Sequence, residues 1–217
     1  MFENSVKQPV ITIQDKVSML KTTVKISNVT NLSDARYCAG MGVELIGFSM
    51  DDLSFEKYKE MRGWLSGVQI VGETESESIL EIMELKETFL PDYIQTSNWQ
   101  NLSEIKRAEL PIILKVDYAK ADLPALLRST AQEVDYFLIE NSDEFAHLDE
   151  AAISQLDALA FQYPVILGFG LSEDNVNEVL ERIPLKGMAL KGGEELKPGQ
   201  RDYAELMDIL EALESED

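Results

Sequence analysis

Short apolar runs of strand length alternate with helical patterns from residue 22 to the end of the chain. The strand-like runs are rich in β-branched residues, whereas the segments between them repeat their apolar residues at helical spacing. Such an alternation predicts parallel strands joined by helices that cover the sheet. The predicted strands are residues 22–26, 43–48, 68–71, 92–95, 111–116, 136–139, 164–167 and a last strand from 188. The predicted helices are residues 35–41, 55–65, 76–89, 102–108, 123–128, 153–161, 176–180 and 203–213.

Strand–helix pairs with short connections and no domain break predict a single (β/α)8 TIM barrel over residues 22–217. The alternative, an open doubly wound sheet, usually carries Gly-x-Gly-x-x-Gly after its first strand, where this chain has Ser27, Asn28 and Val29. Residues 1–21 show no clear period, and we interpret them as a short N-terminal extension. Within it, residues 10–13 form either a lead-in strand or part of a loose cap over the barrel.

The charge balance narrows the class of ligand. Forty acidic residues against nineteen basic ones give a net charge of −21. A chain this acidic, without basic clusters, is not expected to bind nucleic acid or an anionic membrane surface. The chain shows no signal-peptide pattern and no long apolar run, and its single Cys38 cannot form an intrachain disulfide. These features predict a cytoplasmic protein, while the oligomeric state is left open.

Two glycine turns suggest a phosphate site. In a barrel of this kind, loops after strands seven and eight frequently bind phosphate, because backbone N–H groups converge there. The residues in question are Gly168, Gly170, Lys191, Gly192 and Gly193, and Ser172 is the predicted cap of the following helix. This position predicts a phosphorylated small molecule as the ligand. His147 has no Cys or His partner at ligand spacing, so we predict no metal site, and no motif calls for a cofactor.

Polar residues at the other strand ends are the candidates for the rest of the site. They are Lys25, Ser27 and Asn28, then Asp51, Glu73, Gln95, Lys115 and Glu140. Lys25 precedes a strand end and is expected to face the barrel interior, where its charge needs a partner; Glu140 or Glu44 is the predicted one. Lys115 is a second inward cation. The glutamate-rich run over residues 73–87 is interpreted as an exposed helix face.

The first predicted strand leads into Lys25-Ile-Ser-Asn-Val-Thr30, which is followed by Asp34 and Ala35. This segment is similar to the signature Lys-Ile-Cys-Gly-Leu-Thr, followed by Asp-Ala, and the chain thereby resembles the phosphoribosylanthranilate isomerase family of tryptophan biosynthesis. Further similarity lies in segments that correspond to the family's second, fourth, seventh and eighth strands: residues 42–48, 92–95, 164–176 and 187–202. The resemblance implies a barrel that binds an aminated ribose phosphate and catalyses its Amadori rearrangement.

The chain departs from the family at the residues that the resemblance assigns to catalysis. Ser27 stands at the position of the family's Cys, the general base, and Glu140 at that of its Asp, the general acid. A serine hydroxyl needs an activating neighbour to act as a base, and glutamate is one methylene longer than aspartate. Asp51 and Asp52 replace a loop whose Arg contacts the anthranilate carboxylate in the family, and residues 141–145 replace a Gly-Gly-Thr-Gly loop. These departures predict isomerase activity that is weak or lost.

Other functions therefore stay open beside a divergent isomerase. One is a non-catalytic sugar-phosphate binder or regulatory relative, which would keep the phosphate loops without turnover. Another is a partner-binding scaffold with a vestigial mouth, which would gain no stability from phosphate esters.

Overall fold

The computed structural model describes residues 20–120, 122–143, 145–192, 194–197 and 200–215. Within them, eight parallel strands pair in chain order and close into a barrel where β8 meets β1. The strands are β1 (Thr23–Ser27), β2 (Leu45–Ser49), β3 (Gln69–Thr74), β4 (Tyr93–Thr96), β5 (Ile112–Asp117), β6 (Tyr136–Glu140), β7 (Val165–Leu167) and β8 (Gly187–Lys191). The predicted single-domain TIM barrel is confirmed.

A helix follows each strand on the outside of the barrel. The helices are α1 (Leu32–Gly40), α2 (Phe55–Arg62), α3 (Ile79–Phe89), α4 (Leu102–Ile105), α5 (Leu123–Thr130), α6 (Glu150–Ala160), α7 (Val176–Arg182) and α8 (Ala204–Ala212). Two antiparallel strands, β9 (Glu194–Lys197) and β10 (Gln200–Asp202), form a hairpin before α8. This hairpin was not predicted, because its strands are polar and lack apolar alternation. None of the described helices is long and apolar enough to cross a membrane.

The turn after β7 differs from its prediction. Helix α7 begins at Val176 and not at the predicted cap Ser172. The side chain of Asn175 organises this turn, because it accepts from the Ser172 N–H at 2.8 Å and donates to the Gly170 carbonyl at 2.7 Å. The loop between β7 and α7 is therefore fixed by the hydrogen bonds of the Asn175 side chain, which also hold Gly170 in place.

Strand periodicity decides which side chains fill the barrel. Inward positions alternate with positions that face the helices. The inward layer near the middle is apolar and buried: Leu45, Val71, Ile113, Leu138, Ile166 and Ala189. Two residues further along β3, β5 and β6, the inward positions are Glu73, Lys115 and Glu140. The apolar filling of the barrel therefore changes to charged side chains at the C-terminal ends of the strands.

The described chain begins beside the C-terminal helix. Leu20 forms an isolated bridge with Glu214, and the Lys21 N–H donates to the Leu213 carbonyl at 2.8 Å. The Lys21 ammonium also donates to Asn177 Oδ1 at 2.7 Å. Most of the predicted N-terminal extension, including residues 10–13, lies outside the described residues, so the boundary between 1–21 and 22–217 stays a prediction.

Barrel closure provides a test of the fold. Gly187 of β8 pairs with Thr23 of β1, and a Cβ atom on Gly187 would lie 2.7 Å from the Thr23 carbonyl oxygen. Because that oxygen belongs to the ladder, Gly187→Ala should lower the free energy of unfolding by about 1–3 kcal/mol in urea denaturation. The control is Gly40→Ala, since a Cβ on Gly40 would have no atom within 4 Å. It should be neutral or stabilise by about 0.4–1 kcal/mol, and equal losses in both variants would contradict the argument.

Candidate functional site

A cavity of about 450 Å³ opens at the C-terminal ends of the strands. This is the end of a TIM barrel that carries ligand chemistry. The lining comes from the ends of β1 to β6 and β8: Ser27, Asn28, Thr30, Ser49, Asp51, Asp52, Glu73, Thr74, Glu75, Gln95, Lys115, Glu140, Lys191 and Gly192. The structure therefore brings most of the predicted site residues to one polar cavity, which we call the mouth.

The floor of the mouth is a buried ion pair between β1 and β3. Lys25 has no solvent exposure; its ammonium pairs with the Glu73 carboxylate and donates to Ser27 Oγ at 2.8 Å. The second Glu73 oxygen accepts from the Asn28 N–H at 2.9 Å. Gly47 on the intervening strand leaves room for this pair, because a Cβ atom there would overlap Glu73 Oε1. Hydrogen bonds on both partners offset the cost of taking the two charges out of water.

The predicted partners of Lys25 were wrong. Glu44 precedes β2 and instead accepts a hydrogen bond from Thr23 Oγ1 at 2.9 Å. The charge of Lys25 acts on Glu140 through space, but the ion pair is with Glu73. Lys25 reaches Glu73 across β2, because Gly47 has no side chain at that point. The spacing of residues along the sequence does not reveal such a contact between strands.

The interpretation of residues 73–87 as an exposed helix face was wrong at its start. Strand β3 runs to Thr74, and both Glu73 and Glu75 line the mouth. Helix α3 begins only at Ile79. The period-two alternation of Glu73 and Glu75 was the signal for a continuing strand, since both point to the same face of the sheet.

The hydrogen bond to Ser27 shapes what this hydroxyl can do. Ser27 lies at the end of β1 and is nearly buried, and its Oγ accepts from the Lys25 ammonium. An oxygen that accepts a hydrogen bond from a cation is less basic, so it takes up another proton less readily. Ser27 keeps its own O–H as a donor. The arrangement therefore suits hydrogen bonding to a ligand and not proton abstraction.

Glu140, at the end of β6, is a carboxyl with a raised pKa. Burial raises the pKa of the Glu140 carboxyl, and the charge of Glu73 adds to the rise, although the lysines around the mouth oppose it. Lys115 forms an ion pair with Glu75. Burial acts to lower the pKa of Lys115, but the hydrogen bond and charge of Glu75 outweigh it, so that pKa is raised. A carboxyl whose pKa is raised by burial is an arrangement found in general acids.

The loop after β2 adds negative charge to the rim. The carboxylate of Asp51 accepts from Thr74 Oγ1 and from the Glu75 N–H, both at 2.7 Å. Asp52 accepts from Ser49 Oγ at 3.0 Å. These carboxylates are thus fixed in place by neutral donors, and both residues line the mouth.

A second cavity of about 500 Å³ adjoins the mouth and contains the predicted phosphate loops. It lies between the ends of β6 to β8 and the first turn of α8, and it shares Glu140, Lys191 and Gly192 with the mouth. Gly170 lines it in the left-handed backbone region, with φ of +67°. Gly193 lies outside the described residues.

Gly168 has a different role from the one predicted. Its N–H donates to the Ile139 carbonyl at 2.8 Å, so it is not available to an anion. A Cβ atom on Gly168 would lie 3.0 Å from Glu140 Cγ. Gly168 therefore makes space for the Glu140 side chain at the junction of the two cavities.

A closed (β/α)8 barrel with a polar cavity at the C-terminal strand ends defines the class of TIM-barrel proteins that act on or bind small molecules. Comparison with known sequences identifies the family within this class. The profile described as N-(5'phosphoribosyl)anthranilate (PRA) isomerase matches residues 22–212. The chain belongs to this family of isomerases of tryptophan biosynthesis.

Individual relatives match over most of the chain. The N-(5'-phosphoribosyl)anthranilate isomerase of Petrotoga mobilis is 26% identical over 211 residues, covering 88% of this chain and 97% of the relative. That of Aquifex aeolicus is 26% identical over 206 residues, covering 89% and 98%. Among solved structures, the isomerases of Thermotoga maritima and Thermus thermophilus both have a TM-score of 0.72 and cover 88% of this chain and 98% of theirs, at 18% and 22% identity. This structural likeness bears on the fold.

The buried ion pair gives a stability test. Lys25→Met keeps the length of the side chain but leaves the Glu73 carboxylate buried without its ammonium partner. The free energy of unfolding in urea should fall by about 3–5 kcal/mol. The double variant Lys25→Met/Glu73→Gln removes both charges and should recover most of that loss. A double variant as unstable as the single one would mean that packing, and not the unpaired charge, causes the loss.

The raised pKa of Glu140 gives a pH test. The folded chain holds this proton more tightly than the unfolded chain, so the contribution of Glu140 to stability falls as pH rises from 4.5 through the raised pKa. In urea denaturation, the stability of Glu140→Gln relative to the natural chain should therefore rise over that window. The control is Glu150→Gln, because the Arg182 hydrogen bond and charge lower the pKa of Glu150. Its relative stability should change below pH 4.5 and in the opposite direction. A flat profile for Glu140→Gln would contradict the assignment.

Proposed function

We propose that the protein binds a phosphorylated sugar, with its phosphate at the loops after β7 and β8, and that its turnover of phosphoribosylanthranilate is weak or lost. The observation that carries the loss of turnover is the hydrogen bond from the Lys25 ammonium to Ser27 Oγ. Ser27 stands at the position of the family's general base, and its hydroxyl oxygen already accepts a hydrogen bond from the Lys25 ammonium.

An Amadori rearrangement needs both an acid and a base. Glu140 meets the requirements of the acid, because it is partly buried at the end of β6 and its pKa is raised by that burial. Proton removal at C2 of the ring-opened sugar needs a base on the β1 side. There Lys25 is paired with Glu73 and Ser27 is engaged by Lys25. These contacts support a site that keeps a candidate proton donor but lacks the usual proton acceptor.

The rim opposes the aromatic half of the family substrate. Anthranilate carries a carboxylate, and the loop after β2 presents Asp51 and Asp52 to the mouth. Like charges in a shared cavity repel, and the cost rises as water is excluded. This supports weak binding of phosphoribosylanthranilate itself.

The phosphate end of the site supports sugar-phosphate binding. Lys191 and Gly192 lie where the two cavities meet, so a ligand can place its phosphate by β8 and its sugar over Glu140. A solved isomerase with a TM-score of 0.70 and 18% identity, covering 88% of this chain, holds reduced 1-(o-carboxyphenylamino)-1-deoxyribulose 5-phosphate. The second candidate function, a non-catalytic sugar-phosphate binder or regulator, is favoured by the engaged Ser27 and keeps the same phosphate site.

Binding and turnover test the two halves of the proposal. Ribose 5-phosphate should raise the melting temperature, because a ligand of the folded state stabilises it. Lys191→Met should weaken that binding about fivefold to tenfold, since it removes a charge partner of the dianion. The matched control is Lys186→Met, which removes an exposed lysine at the opposite end of β8 and should leave affinity unchanged.

The turnover assay follows loss of anthranilate-linked fluorescence from phosphoribosylanthranilate. We expect kcat well below about 1 s⁻¹. A kcat at or above that value would overturn the loss of activity. Absence of any melting shift with ribose 5-phosphate and inorganic phosphate would overturn the binding site.

A further inference from the structure

Asn28, the residue that follows β1, brings an unpaired side-chain amide to the mouth. The residue lines this cavity and is exposed. Its backbone N–H donates to the Glu73 carboxylate at 2.9 Å, but among the described residues its carboxamide makes no hydrogen bond. A carboxamide carries two N–H donors and an acceptor oxygen. Asn28 therefore adds donors and an acceptor to the ligand cavity that the described protein does not itself use.

The backbone of Asn28 would be served at least as well by glycine. Its φ is +52°, in the left-handed region that glycine adopts without cost and that asparagine tolerates. Glycine stands at this position in the family's signature, whereas this chain has Asn28. Non-glycine residues in this region cluster at ligand-binding sites. The turn alone thus does not account for the side chain.

Hydrogen bonds on both sides hold the backbone of Asn28 in place. The Glu73 carboxylate accepts from its N–H, and Glu73 is itself paired with Lys25. The next residue, Val29, is buried and donates its N–H to the Gly47 carbonyl at 2.8 Å. A residue that is already ordered loses less entropy when a ligand binds. Asn28 is therefore preorganised for a contact with a ligand.

The register of the barrel puts Asn28 beside the proposed phosphate site. Ser27 is the register partner of Lys191 where β8 closes on β1. Adjacent strands lie about 4.8 Å apart. Asn28 and Gly192 come one residue later on the two sides, and all four residues line the mouth. A sugar whose phosphate lies by Lys191 and Gly192 therefore has its next carbons about one strand spacing from Asn28.

We infer that Asn28 determines the specificity of this site, because its carboxamide binds the neighbouring C2 and C3 hydroxyls of a pentose phosphate. A hydroxyl both donates and accepts, so two hydroxyls on one face of the sugar match the N–H donors and the oxygen of one carboxamide. A deoxy sugar lacks one of these partners. The inference rests on the proposed phosphate site and adds the group that recognises the sugar.

Three pentose phosphates that differ by single hydroxyl groups test the inference. They are ribose 5-phosphate, 2-deoxyribose 5-phosphate and 3-deoxyribose 5-phosphate. By calorimetry with the full chain, each deoxy compound should bind about threefold to tenfold more weakly than ribose 5-phosphate, which is the range expected for one hydrogen bond. Inorganic phosphate is measured beside them, because it reports on the phosphate site without the sugar.

Variants locate the contact. Asn28→Gly removes the carboxamide and keeps the turn, so its affinities for the three pentose phosphates should agree within about twofold. Asn28→Asp keeps the shape but loses the N–H donors, so it should also reduce the preference. The matched control is Leu90→Gly, which makes the same backbone change at an exposed residue with φ of +48°, outside both cavities. It should keep the full preference. Urea denaturation shows that each variant is folded before affinities are compared.

The outcomes separate this inference from the proposed function. If both deoxy compounds bind as tightly as ribose 5-phosphate, or if Asn28→Gly keeps the preference, the inference is overturned while the phosphate site stands. If Leu90→Gly loses the preference as Asn28→Gly does, the carboxamide is not its cause and the inference is overturned. If neither the pentose phosphates nor inorganic phosphate binds, the proposed function fails and the inference fails with it.

Discussion

The ion pair between Lys25 and Glu73 determines how the barrel mouth is built. It ties β1 to β3 across β2, and it forms because Gly47 has no side chain to fill the gap. Below it the barrel is filled with apolar side chains, and above it the cavity is polar. A buried charge of this kind persists only if its partner and its hydrogen bonds are all present. The neighbouring positions, Ser27 and Asn28, are therefore held by the same pair.

The same constraint supports the proposal that this chain keeps the family's fold without the family's usual turnover. The scaffold follows the phosphoribosylanthranilate isomerases. At the ends of the neighbouring strands β1 and β2, the oxygen of Ser27 accepts from Lys25, and Asp51 and Asp52 of the β2 loop line the mouth. A barrel keeps its fold through such changes because the mouth is made of loop and strand-end residues that contribute little to the core.

Much of the site was predictable from the chain alone, and the failures share one cause. Strand ends predicted that Asn28, Gln95, Lys115 and Glu140 would meet, because parallel strands bring their C-terminal ends to one face. Two features were not predicted. One is the ion pair of Glu73 with Lys25, and the other is the hydrogen bond that the Gly168 N–H donates to the Ile139 carbonyl. Both depend on which neighbour across the sheet reaches a given atom, and periodicity within one segment contains no such information.

The amino-acid sequence by itself determined the alternation of strands and helices, hence the closed barrel, the family and the face at which the polar strand ends meet. It did so because apolar periodicity and short connections leave few packings for a parallel sheet. Only the tertiary structure decided that Lys25 pairs with Glu73, that Ser27 is engaged, and that Gln95 is buried without a donor. Those features depend on contacts between strands that are distant along the chain. For example, Lys25 and Glu73 can meet only because Gly47, on the strand between them, has no side chain.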